Sequence, residues 1–237
     1  MLITLEIQQK LLEKGVALSW NRPFVLPDNC VFEPPCNLYR SQIAHSLEIG
    51  AFSTTQGGYF FATKIGRYCS IEDNVQIGRG SHPISWGSTS PTLYQNHSYV
   101  FNQEIREAKN FLTNAKPRSF RTTVIGNDVH IGWGALINQG VHIGNGSIIK
   151  PMSVVTKDVP PYSVIEGNPG QIVDVRLPIE LSSELNKLAW WKFAFWDLSE
   201  IPNENPREFL RYIEEKLEKG SAVYSPGPVF LKSLSNG

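Results

Sequence analysis

From Ile125 onward the chain repeats itself every six residues: IGNDVH, IGWGAL, INQGVH, IGNGSI, IKPMSV, VTKDVP. Ile or Val opens each hexad, at 125, 131, 137, 143, 149 and 155, and the fifth places hold Val129, Ala135, Val141, Ser147, Ser153 and Val159. Upstream, IGRYCS, IEDNVQ and IGRGSH obey the same rule from Ile65, Ile71 and Ile77, with Cys69, Val75 and Ser81 fifth. A helix buries a stripe of period 3.6 and a half-buried strand alternates every two residues, so a period of six fits neither. It fits a strand of about four residues followed by a corner, with the first and fifth residues facing inward on the pleat. Three hexads then close one triangular coil, and residues eighteen apart stack at about 4.8 Å, the spacing of neighbouring strands. Ile125 is expected over Ile143, and Ile131 over Ile149. Large aliphatics at the first place and small residues at the fifth fill a narrow prism, which makes the interior a packed core rather than a tunnel. Gly126-Asn127 and Gly144-Asn145 suit its corners, where backbone angles are unusual. The fold class is therefore mainly β, a parallel β-helix of hexapeptide repeats.

Charge and cysteine usage narrow the function by exclusion. Lys plus Arg and Asp plus Glu both number 22, so the formal net charge is zero and no basic field gathers a nucleic acid backbone or an anionic membrane. Cys30, Cys36 and Cys69 form no CxxC pair or zinc spacing, and an odd count argues against a secreted disulfide framework. The N-terminus MLITLEIQQKLLEKG lacks a basic region followed by a long apolar run, so the expectation is a cytoplasmic protein. No apolar stretch is long enough to span a bilayer.

The repeat breaks at His82. Residues 83–122 leave the coil without any period, which puts this histidine at a corner and at the root of an excursion, a common place for binding and catalysis on a rigid scaffold. Residues 1–48 read as an N-terminal segment and first coil, 49–177 as the β-helix with its excursion, and 178–237 as a C-terminal helical extension. Within IGAFSTTQGGYFFATK, Ile49 to Lys64, the repeat slips by four relative to Ile65, which predicts coils interrupted by a bulge at Gly57-Gly58. Residues 3–14 predict a small helix stopped by Gly15. ENPREFLRYIEEKLEKG predicts a stronger one, with Asn205 as cap, Pro206 in the first turn, Phe209, Ile213 and Leu217 on one stripe, and Gly220 as the stop. The tail from Ser221 carries no clear pattern.

The hexads, the SHPISW segment and the ending SVVTKDVPPYSVIEGNPGQIVDVRL together resemble the left-handed β-helix acyltransferases. Within them the sequence is most similar to the xenobiotic acetyltransferase branch, which includes streptogramin and type B chloramphenicol acetyltransferases and relatives that O-acetylate sugars. The likeness covers about Ile49 to Leu177, and LAWWKFAFWDL resembles the Trp-rich helix that follows the β-helix there. The left hand comes from this resemblance alone, since general rules favour right-handed crossovers between parallel strands.

The resemblance implies roles. The histidine of the segment similar to SHPISWGST is the family's general base, which assigns that part to His82. An imidazole largely neutral at physiological pH can take the proton of an acceptor hydroxyl and return it to a departing thiolate. The family holds acetyl-CoA as co-substrate beside the late coils, at positions that match Trp133, Pro151, Thr156, Lys157 and Arg176. The stacking rule separately puts Trp133 and Pro151 one coil apart on one edge, and Lys157 and Arg176 are expected to meet phosphates. Trp86 and Ser88 are expected to touch the acceptor, with Thr89, Tyr94, His97, Tyr99 and Phe101 adding surface. The sequence departs from the family pattern at His130, where Trp is usual, at Pro151, where a small residue is usual, and at the large Trp133. The family assembles as homotrimers, and Trp190, Trp191 and Trp196 are expected at the end of the prism or between protomers.

Three function classes stay open at this stage. The first is an acetyl-CoA-dependent O-acetyltransferase acting on a hydroxyl of a carbohydrate, such as a surface polysaccharide or its precursor, or alternatively of an antibiotic. The second is a metal hydratase like the γ-class carbonic anhydrases, which share the repeat but need three imidazoles; His82, His97, His130 and His142 do not supply their spacing, so no metal is expected. The third is a noncatalytic scaffold. A covalent route through Cys69 is disfavoured because a fifth place points into the prism.

Overall fold

In a computed structural model, which describes residues 1–80, 82–95, 100–101, 103–108 and 120–236, the chain forms two compact units. The larger comprises residues 1–79 and 122–237, and the smaller is the excursion, residues 80–121. The larger unit is the expected left-handed parallel β-helix. Its first face stacks Val31–Phe32, Leu47–Ile49, Thr63–Ile65, Thr123–Ile125 and His142–Ile143. The second stacks Val16–Ala17, Cys36–Asn37, Thr54–Thr55, Ser70–Ile71, His130–Ile131, Ile148–Ile149 and Ser163–Glu166, and ends on the antiparallel strand Gln171–Val175. The third stacks Gln42–Ile43, Tyr59–Phe60, Gln76–Arg79, Leu136–Asn138 and Val154–Val155. Parallel pairing thus begins at Val16, well below Ile49.

The register follows the period. Ile125 lies over Ile143 and Ile131 over Ile149, and Ile65, Ile71 and Ile77 pair with Ile125, Ile131 and Ile137 across the excursion. All of these aliphatics are buried, as are the fifth-place residues Cys69, Val75, Val129, Ala135, Val141, Ser147 and Ser153. Burying each Ile is worth roughly 1.5–3 kcal/mol, so the column is the main source of stability. The buried serines answer their own hydrogen-bonding needs: Ser53 Oγ donates to the Gly66 carbonyl at 2.7 Å, and Ser147 Oγ to that of Pro160 at 2.9 Å.

Three details differ from the sequence reading. Ile49 and Thr55 pair in register with Ile65 and Ile71, so the slip of four is a coil of sixteen residues rather than a bulge. The two missing residues are lost one at each of two corners, the first turned by Gly57 and Gly58 at φ 144° and 107° and the next, between Phe60 and Ile65, by Ala62 at φ 46°. Val159 bridges Ile143 and so occupies a first place, because Thr156, Lys157 and Asp158 alone span the preceding corner. At the first corner, between faces one and two, the left-handed residues are Phe52, Tyr68, Asp128, Gly146 and Tyr162, not the Gly-Asn pairs. Gly126 serves close approach instead: a Cβ there would sit 2.8 Å from the Asn145 backbone nitrogen and 2.6 Å from its Oδ1. The asparagines tie coil to coil, since Arg67 N–H donates to Asn127 Oδ1 at 2.8 Å and Asn127 N–H to Asn145 Oδ1 at 2.7 Å.

Helix α1 (Leu5–Glu13) is capped by Thr4, stops at Gly15, and buries Leu11 in the same core as the coils. Beyond the last coil, α2 (Ile179–Leu188) and α3 (Pro206–Glu218) bury a second core containing Tyr162, Leu185, Phe193, Phe209 and Ile213. Asn205 caps α3 through the N–H groups of Arg207 and Glu208, as its sequence predicts. The Trp-rich segment is not the expected helix. It forms two short 3₁₀ turns, Trp190–Lys192 and Phe195–Leu198, after Ala189 breaks α2 at φ 51°. Its carbonyls are engaged elsewhere: Arg67 donates to Trp191 and Lys192 at 3.4 and 3.3 Å, and the Tyr68 hydroxyl to Phe193 at 2.8 Å. The tryptophans therefore lie along the first corner, not at the end of the prism. The tail then pairs Val229–Phe230 antiparallel with Val31–Phe32 and buries Leu231 in the coil core.

Candidate functional site

Within the excursion, the residues after His82 fold into a tight turn. Pro91–Leu93 forms one 3₁₀ turn, closed by the Tyr94 N–H donating to the Pro91 carbonyl at 3.1 Å, and Ser90 N–H donates to Ser88 Oγ at 3.0 Å. These local bonds bring a backbone carbonyl and a phenol onto one nitrogen of an exposed imidazole. His82 Nδ1 lies 2.8 Å from the Thr89 carbonyl oxygen and 2.7 Å from the Tyr94 hydroxyl. A carbonyl can only accept, so the contact requires a proton on Nδ1 and leaves the lone pair on Nε2. That is the tautomer a general base needs. Trp86 meets the Tyr94 ring edge-on at 5.5 Å and is itself half exposed. Sequence reasoning named His82, Trp86 and Ser88 but not the Thr89 carbonyl, because no side chain announces it. Tyr94 was visible only as aromatic surface, since twelve residues of irregular chain separate it from His82. His97 and Tyr99 lie outside the described residues.

In the β-helix the remaining candidates fall on three corners. Trp133 and Pro151 share the second corner, between faces two and three: the Met152 N–H donates to the Trp133 carbonyl at 2.8 Å, and Gly132 abuts Pro151 closely enough that a Cβ would sit 2.6 Å from its nitrogen. The Trp133 ring is 48% exposed, available as a flat apolar surface. The Trp133 backbone N–H donates to Glu72 Oε2 at 2.7 Å, while Glu72 Oε1 lies 3.5 Å from His130 Nε2. His130 thus stands on an outer face beside a carboxylate. Thr156 and Lys157 occupy the third corner, both exposed, and the Lys157 ammonium makes no ion pair among the described residues.

Arg176 lies apart from Lys157, at the first corner, where it donates to Asp128 Oδ2 at 2.8 Å and to the Gly146 carbonyl at 2.9 Å. Burial pushes the Asp128 carboxyl upward more strongly than Arg176 draws it down. This pair lines a cavity of about 250 Å³ with Tyr162, Leu185, Trp190 and Phe209. A wider groove of about 890 Å³ runs along the first face beside Arg67, Asn127 and Lys192, and none of the sequence-derived candidates lines it.

The cysteines are all buried, and burial raises the thiols of Cys30, Cys36 and Cys69 to about 12. Cys69 Sγ donates to the Gly126 carbonyl at 3.0 Å as part of the first corner. Among the described residues, no three His, Cys, Asp or Glu side chains are placed to hold a metal ion, and no helix is long and apolar enough to cross a membrane.

Hexads wound into a triangular prism, with one irregular insertion carrying an oriented imidazole, define the class as a hexapeptide-repeat β-helix protein. The family model described as bacterial transferase hexapeptide (six repeats) matches residues 122–157. A chloramphenicol acetyltransferase of Klebsiella aerogenes is 34% identical over 148 residues, covering 60% of this chain and 63% of that protein. A probable macrolide acetyltransferase of Lysinibacillus sphaericus is 36% identical over 132 residues, 55% of this chain and 69% of that protein. A galactoside O-acetyltransferase of Escherichia coli strain K12 is 33% identical over 113 residues, 48% of this chain and 44% of that protein. The chain belongs to the hexapeptide-repeat acetyltransferase family. It spans a little under two thirds, 63%, of the length of that chloramphenicol acetyltransferase.

Proposed function

We propose that this protein is an acetyl-CoA-dependent O-acetyltransferase in which His82 is the general base for direct transfer to a carbohydrate hydroxyl. The observation that carries the reading is the exposed imidazole with Nδ1 tied to the Thr89 carbonyl at 2.8 Å. Nε2 takes the proton of the acceptor hydroxyl as its oxygen attacks the thioester carbonyl carbon. A tetrahedral oxyanion forms and collapses with loss of the carbon–sulfur bond, and Nε2 passes its proton to the departing thiolate. A thiol leaves readily, so the chemistry needs no metal and no covalent enzyme intermediate. With thiols raised by burial to about 12, the cysteines suit packing rather than attack.

Acetyl-CoA fits the residues on the late coils in kind. Trp133 and Pro151 offer an exposed apolar edge, Thr156 a hydroxyl and Lys157 an exposed cation for a phosphate. Arg176 stays in the proposal with a smaller part, because its guanidinium already serves Asp128 and Gly146. Trp86 and Ser88, beside His82 in sequence, take the acceptor side. The working unit is a cytoplasmic homotrimer, a reading supported by the exposed apolar strand residues Ile172, Val173 and Val175, which a partner would cover.

A second acceptor class is an antibiotic hydroxyl, favoured by the chloramphenicol and macrolide acetyltransferases among the relatives. An acceptor panel separates the two: thiol release from acetyl-CoA is followed with galactosides, other glycosides, chloramphenicol and a macrolide. Turnover with a glycoside at a kcat/KM at least tenfold above the antibiotics supports the carbohydrate reading, and the reverse order replaces it with the second. Thiol release with none of them, at any acceptor concentration, counts against O-acetyl transfer itself.

A further inference from the structure

We propose that Tyr94 is a positioning residue for His82, its hydroxyl closing a three-centre arrangement that holds the imidazole in one tautomer and one orientation. The inference rests on the reading of His82 as the base. Three polar atoms stand within reach of one another: Tyr94 Oη is 2.7 Å from His82 Nδ1, the Thr89 carbonyl oxygen is 2.8 Å from the same nitrogen, and the two oxygens are 3.5 Å apart. A carbonyl alone leaves the ring free to swing about its bond to Cβ while keeping one contact. A second oxygen on the same N–H fixes the ring plane.

The donor count has one consistent solution. The Thr89 carbonyl cannot donate, so the proton between it and the ring belongs to Nδ1, and the phenol oxygen accepts from that same N–H. The phenol's own proton is then directed toward the Thr89 carbonyl. The opposite assignment, with the phenol donating to a bare Nδ1, would press that lone pair against a carbonyl oxygen at 2.8 Å and put the ring proton on Nε2, where it disables the base. When Nε2 takes up a proton, the positive charge is shared with Nδ1–H, and both oxygens accept more strongly from it. Tyr94 therefore acts on the base without touching either substrate.

Packing keeps the phenol in place. The Tyr94 and His82 rings meet at 78° with centroids 6.3 Å apart, and Trp86 stands edge-on to Tyr94 at 89°. The 3₁₀ turn Pro91–Leu93 sets the backbone from which Tyr94 projects. Tyr94→Phe removes the hydroxyl while keeping the ring that Trp86 contacts, so it separates the hydrogen bond from the packing.

The test compares the wild type, Tyr94→Phe and His82→Ala, using acetyl-CoA and the best acceptor of the panel, with the His82 ring nitrogens followed by nitrogen-15 NMR in the absence of substrates. Tyr94→Phe is expected to lower kcat about 3- to 10-fold, the loss of one hydrogen bond, with the KM for acetyl-CoA within twofold of wild type. Its NMR signature should move from a dominant Nδ1–H form toward a mixture of tautomers. Unchanged kcat together with an unchanged tautomer overturns the proposal, as does a loss confined to the KM for acetyl-CoA. Full activity in His82→Ala would instead remove the base reading, and the tautomer measurement would still decide whether Tyr94 orients the ring.

Discussion

At the scale of single residues, the proposed base and the candidate cysteine nucleophile stand in opposite environments. His82 is exposed and oriented, whereas Cys69 donates its thiol proton to a carbonyl inside a corner and is buried on every side. Thiolate, not thiol, reacts with an alkylating agent, and a group raised to about 12 is almost wholly protonated at pH 8. Iodoacetamide at pH 8 is therefore expected to leave all three cysteines of the folded protein unmodified by mass spectrometry over an hour and to label all three in urea. Rapid labelling of the native chain with loss of transfer activity would reopen a cysteine route. Such contrasts were half legible beforehand, because the hexad phase alone turns the Cys69 side chain inward. The partners of His82 were not, since a carbonyl seven residues on and a phenol twelve residues on are set by an aperiodic turn.

At the scale of elements, an ion pair helps anchor the C-terminal strap, the Trp-rich segment and the tail through Phe230, to the coils. Arg67 Nε donates to Glu33 Oε2 at 2.8 Å, and the same guanidinium reaches the carbonyls of Trp191, Lys192 and Tyr224. Burial works against the Glu33 carboxylate, but the hydrogen bonds from Arg67 and the Ala51 N–H, with the Arg67 charge, outweigh it and hold the group below the ordinary range. The sign follows from linkage: a carboxyl with a lower folded than unfolded pKa stabilises fully above its unfolded value of about 4.3. That contribution is lost as the pH falls through the folded value. Glu33→Gln should lower the urea midpoint at pH 7, and its midpoint should change less than the wild type's between pH 7 and pH 3. Parallel pH profiles for the two proteins would refute this role. The strap also marks where sequence reading ran short. α3 was legible from its cap, stripe and stop, but the Trp-rich segment carries its backbone bonds to Arg67 and Tyr68, and no local pattern encodes partners more than a hundred residues away.

At the scale of the whole molecule, most of the scaffold followed from the period of six, because each first-place aliphatic must find its neighbour one coil away. Departures came where the count changes, at the sixteen-residue coil and at the shortened corner before Val159. The site residues were less legible: a prism specifies which side chains face outward, yet it distributes Trp133, Lys157 and Arg176 over three different corners. Function in this account is an insertion into a stiff repeat, so stability and catalysis should separate. The most direct measurement is the kcat of His82→Ala for acetyl transfer from acetyl-CoA, taken alongside its thermal midpoint. The expected result is a fall of about 10²- to 10⁴-fold, the usual range for removing a general base, with the melting temperature within about 2 °C of wild type, as for an exposed side chain. Wild-type turnover in a folded His82→Ala protein would contradict it.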